Sequence, residues 1–347
     1  MDDAPSLMFA EAASAGDVVD RQLSANAKAM EDLAAHLRRS DPPFALTIAR
    51  GSSDHAASFA KILLETRLGI PVVSQSPSLA TLYRREQPKL AGALALAISQ
   101  SGRSPDLVET GRAARRQGAL LVAMVNEVDS PLAEEADVVI PLHAGPERSV
   151  AATKSFIASL SAIMQLATCW SDDAAARAGM EGMGDVLKQA WRMDWSEALE
   201  PVAVVRRLLV LGRGLTWPIA AEAALKFKET AQLHAESFSS AEVAHGPMAL
   251  VGKGDPVFAF SPCDAAEQGF AERLAGFAER GAQVIAVGNG NRVAPAAIQL
   301  PAAVSSDAAV TSIAMIASYY RFAESLARHL GLNPDEPPYL SKVTRTR

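Results

Sequence analysis

Thiols are scarce in this chain: 347 residues contain two cysteines, Cys169 and Cys263, and neither belongs to a C-x-x-C spacing. That excludes a disulfide framework and a thiolate zinc centre, and it fits a reducing compartment. The six histidines fall at no zinc-ligand spacing, so no metal is expected. Long apolar runs are missing as well. No segment approaches the roughly 18 apolar residues that span a bilayer. The opening "MDDAPSLMFAEAASAG" has neither a basic nor an apolar leader region, so a cytoplasmic protein without a membrane partner is expected. The net charge is -6 and the basic residues are scattered, which argues against nucleic acid as a partner. Cofactor signatures are also lacking. "GRGLTW" begins like a dinucleotide fingerprint, but Trp217 stands where the third glycine belongs, and no G-x-x-x-x-G-K-[ST] loop occurs. No cofactor is expected, and any chemistry must come from ordinary side chains.

What is present is a soluble globular composition, 49% hydrophobic and 21% charged, on a chain long enough for two domains. The order of segments is written twice, about 160 residues apart, a spacing of domain size. "FALTIARGSSDHAASFAKILLE" is matched by "RLLVLGRGLTWPIAAEAALKFKE", with Gly51 opposite Gly214. "ALALAISQSGRSPDLVETGRAARRQGALLVAMVN" is matched by "GDPVFAFSPCDAAEQGFAERLAGFAERGAQVIAVGN", with Ser99 opposite Ser261 and Gly118 opposite Gly281. Further strands are expected in "ADVVIPL" and "APAAIQLPA", and long helices over 150–170 and 308–331. Short, uniformly apolar runs alternating with helical periodicity imply parallel strands buried on both faces. The expected fold class is α/β: two tandem three-layer αβα domains, each with a parallel, flavodoxin-like sheet. The expected organisation is a helical segment over 1–40, a first domain over 41–185, a second over 186–335 and a tail over 336–347.

Several motifs carry chemistry. "SQSGRSPD" places Ser99, Gln100, Ser101 and Ser104 at the carboxyl end of a strand, with a helix starting near Pro105. Unpaired N–H groups, the positive end of the helix dipole and three hydroxyls suit a phosphate monoester. The plain alternative is that the serines cap a helix and turn a loop. The second copy reads "SPCDAAE", with an acidic residue in the turn, so only the first copy is equipped for an anion. "RGSSDH" offers Gly51, Ser52 and Ser53 to a sugar or phosphate. In "AAEAALKFKETAQLHAES", Glu222, Lys226 and Glu229 lie on one helical face, which is either a solvated face laced by ion pairs or part of a site. "AEVAHGP" sets His245 in a Gly-Pro turn, either catalytic or merely exposed.

Together these stretches, with "VAATKSF" and the closing "LSKV", resemble the sugar isomerase (SIS) family, in particular the isomerase half of glucosamine-6-phosphate synthase. The resemblance covers nearly the whole chain. It implies a sugar phosphate held by Ser52, Ser53, Ser99, Gln100, Ser101 and Ser104, with Val150 and Ala152 near the sugar. It further implies Glu229 as the base working between C1 and C2, shielded from water, with Lys226 beside it. His245 would open the ring, delivered by the neighbouring subunit of a homodimer, and Lys342 would close over the sugar. The sequence departs from the synthase at Arg103, Ala152 and Ala244, and it holds no stretch resembling a glutaminase, so glutamine is not the expected nitrogen source. SIS-type glucosamine-6-phosphate deaminases fit better, and they imply conversion of glucosamine 6-phosphate to fructose 6-phosphate and ammonia. Another aldose–ketose isomerase, a fructosamine-phosphate deglycase and a non-catalytic sugar-phosphate sensor are the alternatives.

Overall fold

The computed structural model describes residues 4–288 and 298–342. Helices α1 (Leu7–Ala13) and α2 (Ala15–Ser40) precede the first strand. The chain divides into two compact units. The first is drawn from residues 17–147, 154–181 and those from 340 onward; the second takes residues up to 16, 148–153 and 182–339.

In the first unit, β1 (Ala45–Ile48), β2 (Val72–Ser74), β3 (Leu94–Ser99), β4 (Leu120–Val125) and β5 (Val138–Pro141) form a wholly parallel sheet in the order β2-β1-β3-β4-β5. The helices are α3 (Ser52–Leu68), α4 (Ser78–Thr81), α5 (Pro105–Arg116), α6 (Pro131–Glu135), α7 (Lys154–Ser171) and α8 (Ala174–Met180). Every residue of β3, "LALAIS", is buried, which is why its apolar run shows no alternation. All but the last of the 18 residues of α7 are buried too, so this helix is apolar all round rather than striped. The order reverses between β1 and β3. Crossovers leave in opposite directions there and open a crevice at the carboxyl ends of the two strands.

The second unit repeats the topology. Helices α9 (Met183–Trp191) and α10 (Leu199–Ala203) lead into β6 (Arg207–Gly212), α11 (Thr216–Ala231), β7 (His234–Ser239), β8 (Pro256–Phe260), α12 (Phe270–Glu279), β9 (Gln283–Val287), β10 (Ile298–Leu300) and α13 (Ala308–His329). The parallel order is β10-β9-β8-β6-β7, which places its reversal between β6 and β8. Of the expected strand "APAAIQLPA", residues 294–297 lie outside the described residues. One face of this sheet is aromatic: Phe227 of α11 meets Tyr319 of α13 edge-on at 5.2 Å and Phe258 of β8 at 5.7 Å. Such pairs add about 0.5–1.5 kcal/mol beyond area burial. The opposite face carries Leu209, Leu211, Val257 and Ala259 against α12 and against Val243 and Val251. Helix α1 packs on α13, where the Ser6 hydroxyl donates to Glu324 at 2.9 Å.

Candidate functional site

Because β1 and β3 are parallel neighbours, with Ile48 opposite Ala97, the turns that follow them emerge side by side. The β3 turn is built around Gly102, at φ +59°, where a Cβ would lie 2.2 Å from Ser130 Oγ. Only glycine fits there. The Ser99 hydroxyl accepts from Gly102 N–H at 3.0 Å, and the Ser101 hydroxyl from Arg103 N–H at 3.3 Å. Ser104 occupies the N-cap of α5 with no side-chain capping bond, and Pro105 follows at the first helical position. The Ser104 side chain thus makes no cap bond, although it stands at the cap position. Asp106 in the first turn would repel an anion, but Arg50 Nε binds it at 2.9 Å and offsets its charge. Ser52 and Ser53 open α3 after Gly51, and a Cβ on Gly51 would meet nothing within 4 Å.

The corresponding turn of the second unit is tight as well. A Cβ on Gly214 would come within 2.9 Å of Ala266, and one on Gly212 within 2.3 Å of the Thr216 carbonyl oxygen. Asp264 caps its own turn by accepting from Ala266 N–H. The two repeats share a topology and differ in the residues of this turn, serines in the first and Asp264 in the second.

Within the second unit, ionisable side chains gather along α11. Glu222 and Lys226 have fully buried side chains, and Glu229 keeps 20% of its side chain exposed. The Lys226 ammonium sits 3.1 Å from Glu222 and 2.5 Å from Glu229. Burial drives the Lys226 ammonium toward neutrality, but the two carboxylates outweigh it and hold its pKa above the ordinary lysine value. Tyr320 of α13 donates to Glu222 at 3.2 Å, and Tyr319 donates to the Ala223 carbonyl at 2.8 Å. The solvated-face reading of this helix is thus excluded for Glu222 and Lys226. The expected shielding of Glu229 is partial.

His245 ends a short 3-10 turn, Glu242–His245, and is exposed. Val243 of that turn packs with Leu209, Leu211 and Val257, whereas Phe227 of α11 packs on Phe258 and Tyr319. Successive strand residues point to opposite faces. The elements bearing His245 and Glu229 therefore cover opposite faces of one sheet.

Val150 and Ala152 belong to the segment between β5 and α7. Glu11 of α1 accepts from Arg148 N–H at 2.5 Å and Ser149 N–H at 3.2 Å, and Val150 N–H donates to the Asp335 carbonyl at 3.1 Å. The Asp335 carboxylate in turn accepts from Leu7 and Met8 N–H. Within the first unit, Lys342 Nζ lies 2.9 Å from Glu147, a carboxylate with no exposed surface. Glu11, Asp335, Glu147 and Tyr320 escaped the sequence reading. For Glu222 the i, i+4 spacing was a signal; the others depend on residues about 100 or more positions away, which no local pattern shows.

The described fold is a pair of parallel-sheet α/β repeats, the first with serines in the turns after its two central strands. Comparison bears this out: the SIS domain is matched over residues 41–169 and again over 202–324, and the chain belongs to that family. Glutamine–fructose-6-phosphate aminotransferase (isomerizing) of Mycolicibacterium smegmatis is 35% identical over 324 residues, covering 88% of this chain and 51% of the relative. The chain spans about half the length of the curated relatives it matches. Among solved structures, a candidate phosphosugar isomerase from Silicibacter pomeroyi DSS-3 is 42% identical, with a TM-score of 0.90 over 95% of this chain and 100% of that one. The glucosamine-6-phosphate deaminase of Thermotoga maritima, 21% identical, shares the fold with a TM-score of 0.77 over 98% and 100% of the two chains.

Proposed function

We propose that this SIS protein is an isomerising glucosamine-6-phosphate deaminase that acts as a homodimer in the cytoplasm, where its free Cys169 and Cys263 persist. The observation that carries the enzymatic reading is the fully buried Lys226 holding the partly exposed Glu229. A sensor that only binds its ligand gains nothing from a buried ammonium, which is costly unless paired.

In this reading the phosphate docks at Ser52, Ser53, Ser99, Gln100, Ser101 and Ser104, where hydroxyls and α5 N–H groups make charge-assisted bonds. Val150 and Ala152 line the sugar. His245 transfers a proton at the ring oxygen and opens the sugar to its amino aldehyde. Glu229 takes the C2 proton and returns one at C1, converting the aldehyde to the 2-imine of fructose 6-phosphate. Water adds to the imine carbon and ammonia departs, leaving the ketose, so one water is consumed for each ammonia formed. Lys226 orients the Glu229 carboxylate, and Lys342 covers the sugar. Delivery of His245 by the partner subunit is supported by its exposure and by the sheet that separates its element from that of Glu229.

The test is incubation with glucosamine 6-phosphate and a coupled assay for ammonia. Release of ammonia and fructose 6-phosphate in equal amounts is the expected result. A second reading, aldose–ketose isomerisation without nitrogen chemistry, is favoured by the likeness to the Silicibacter pomeroyi protein. Interconversion of hexose phosphates with no ammonia from any amino-sugar phosphate establishes it and overturns the deaminase.

A further inference from the structure

Glu147 carries a negative charge into a place with no exposed surface, and three donors converge on it. Ser155 gives its backbone N–H at 3.0 Å and its hydroxyl at 2.6 Å, and Lys342 gives its ammonium at 2.9 Å. Ser155 is the second residue of α7. First-turn N–H groups of a helix have no acceptor within the helix, and a carboxylate there is favoured by the dipole. A buried carboxylate is nonetheless strongly disfavoured without a counter-ion. Its counter-ion comes from 195 positions later in the chain, in the C-terminal tail.

We infer that Glu147 is a positioning residue that latches the tail. One carboxylate does two jobs: it closes the start of α7 and it fixes the Lys342 ammonium. Burial pushes the Glu147 carboxyl up, but Lys342 and the Ser155 donors outweigh that and hold it below the ordinary carboxylate range. The segment carrying Val150 and Ala152 departs from the residue after Glu147 and ends just before Ser155, so the carboxylate ties its two ends. Glu147 touches no reacting atom in this reading and acts through Lys342 and α7. The part of the inference that concerns turnover rests on the function proposed above; the latch itself does not.

The experiment uses the full chain with two readouts. The first is limited trypsin digestion followed by mass spectrometry at the Lys342–Val343 bond, because trypsin must take up the lysine head that Glu147 holds. Glu147→Gln is expected to accelerate that cleavage at least tenfold with other tryptic sites unchanged. Glu147→Asp, which keeps the charge but retracts it by one methylene, is expected to fall between, and it serves if the glutamine variant folds poorly. Wild-type protection in both variants overturns the latch. The second readout is a double-mutant cycle in kcat/KM on glucosamine 6-phosphate between Glu147→Gln and Lys342→Met. A coupling of about tenfold or more is expected, with the second substitution costing little once the first is made. Independent, multiplying losses overturn action through Lys342. Absence of turnover in the wild type defeats the functional reading alone, and the trypsin arm still decides the latch.

Discussion

Lys226→Met removes a charge from the second unit at nearly constant chain length. The lysine and Glu222 have no exposed side-chain surface and stand 3.1 Å apart. At an effective dielectric of about 20, that contact has a gross attraction of about 5 kcal/mol, most of it offset by the desolvation of both ions. The substitution leaves Glu222 ionised and buried, with Tyr320 O–H at 3.2 Å but without its cation. Breaking a buried pair from one side costs about 3–5 kcal/mol, whereas an exposed pair such as Lys28–Asp32 contributes about 0–1 kcal/mol. Urea unfolding followed by near-UV circular dichroism is expected to show the larger loss for Lys226→Met and almost none for Lys28→Met. The double variant Lys226→Met, Glu222→Leu is expected to recover most of it, because the carboxylate still lacking its cation, Glu229, keeps 20% of its side chain exposed. The pH sign is fixed by the same contacts. The folded pKa of Lys226 lies above the ordinary 10.5, so its contribution is complete below that value and disappears only as pH rises through the higher one. The penalty should therefore be equal at about pH 6 and about pH 9. A loss under about 1 kcal/mol, or a double variant no more stable than the single one, refutes the reasoning.

Four further outcomes follow from the same geometry. Glu229→Gln should lower kcat by about 10²- to 10⁴-fold with little change in binding of the substrate, measured by calorimetry; near-normal turnover removes Glu229 as the base. Gly102→Ala should abolish saturable binding of a sugar phosphate, because the new methyl group collides with Ser130 Oγ at a left-handed φ; unchanged affinity dissociates the β3 turn from the phosphate. Mixing inactive Glu229→Gln and His245→Ala chains under exchange conditions should restore about a quarter of wild-type activity, since half the dimers then hold one intact site; no recovery argues that His245 serves its own subunit. Acid should weaken the Glu147 contacts: a carboxyl held below 4.5 contributes stability that is complete above that value and is lost as pH falls through the lower folded one, so protection of the Ser155 N–H against hydrogen exchange, corrected for the intrinsic rate at each pH, should fall only below about 4.5; protection unchanged down to the acid limit of folding refutes it.

Glu147 and Glu222 show where reading along the chain stops. Strands such as "LALAIS" were legible because burial on both faces leaves an unbroken apolar run. The turn after β3 was legible because serine, glycine and proline each favour a particular backbone state. Glu147 looks like any loop acid, yet it is fully buried against a lysine 195 residues away. Lys226 was recognised, but its spacing from Glu222 and Glu229 fits a solvated helix as well as a buried triad. Only the packing of α13, which brings Tyr319 and Tyr320 over α11, separates the two.

The order of residues alone therefore determined the duplicated α/β plan, the parallel sheets and the serine-glycine turn of the first repeat, because these follow from local periodicity and local backbone preference. Tertiary structure decided which charges are buried, and that the elements bearing His245 and Glu229 pack on opposite faces of a sheet. Desolvation and close contact arise between residues remote in the chain, and their energies depend on distances that no local pattern encodes.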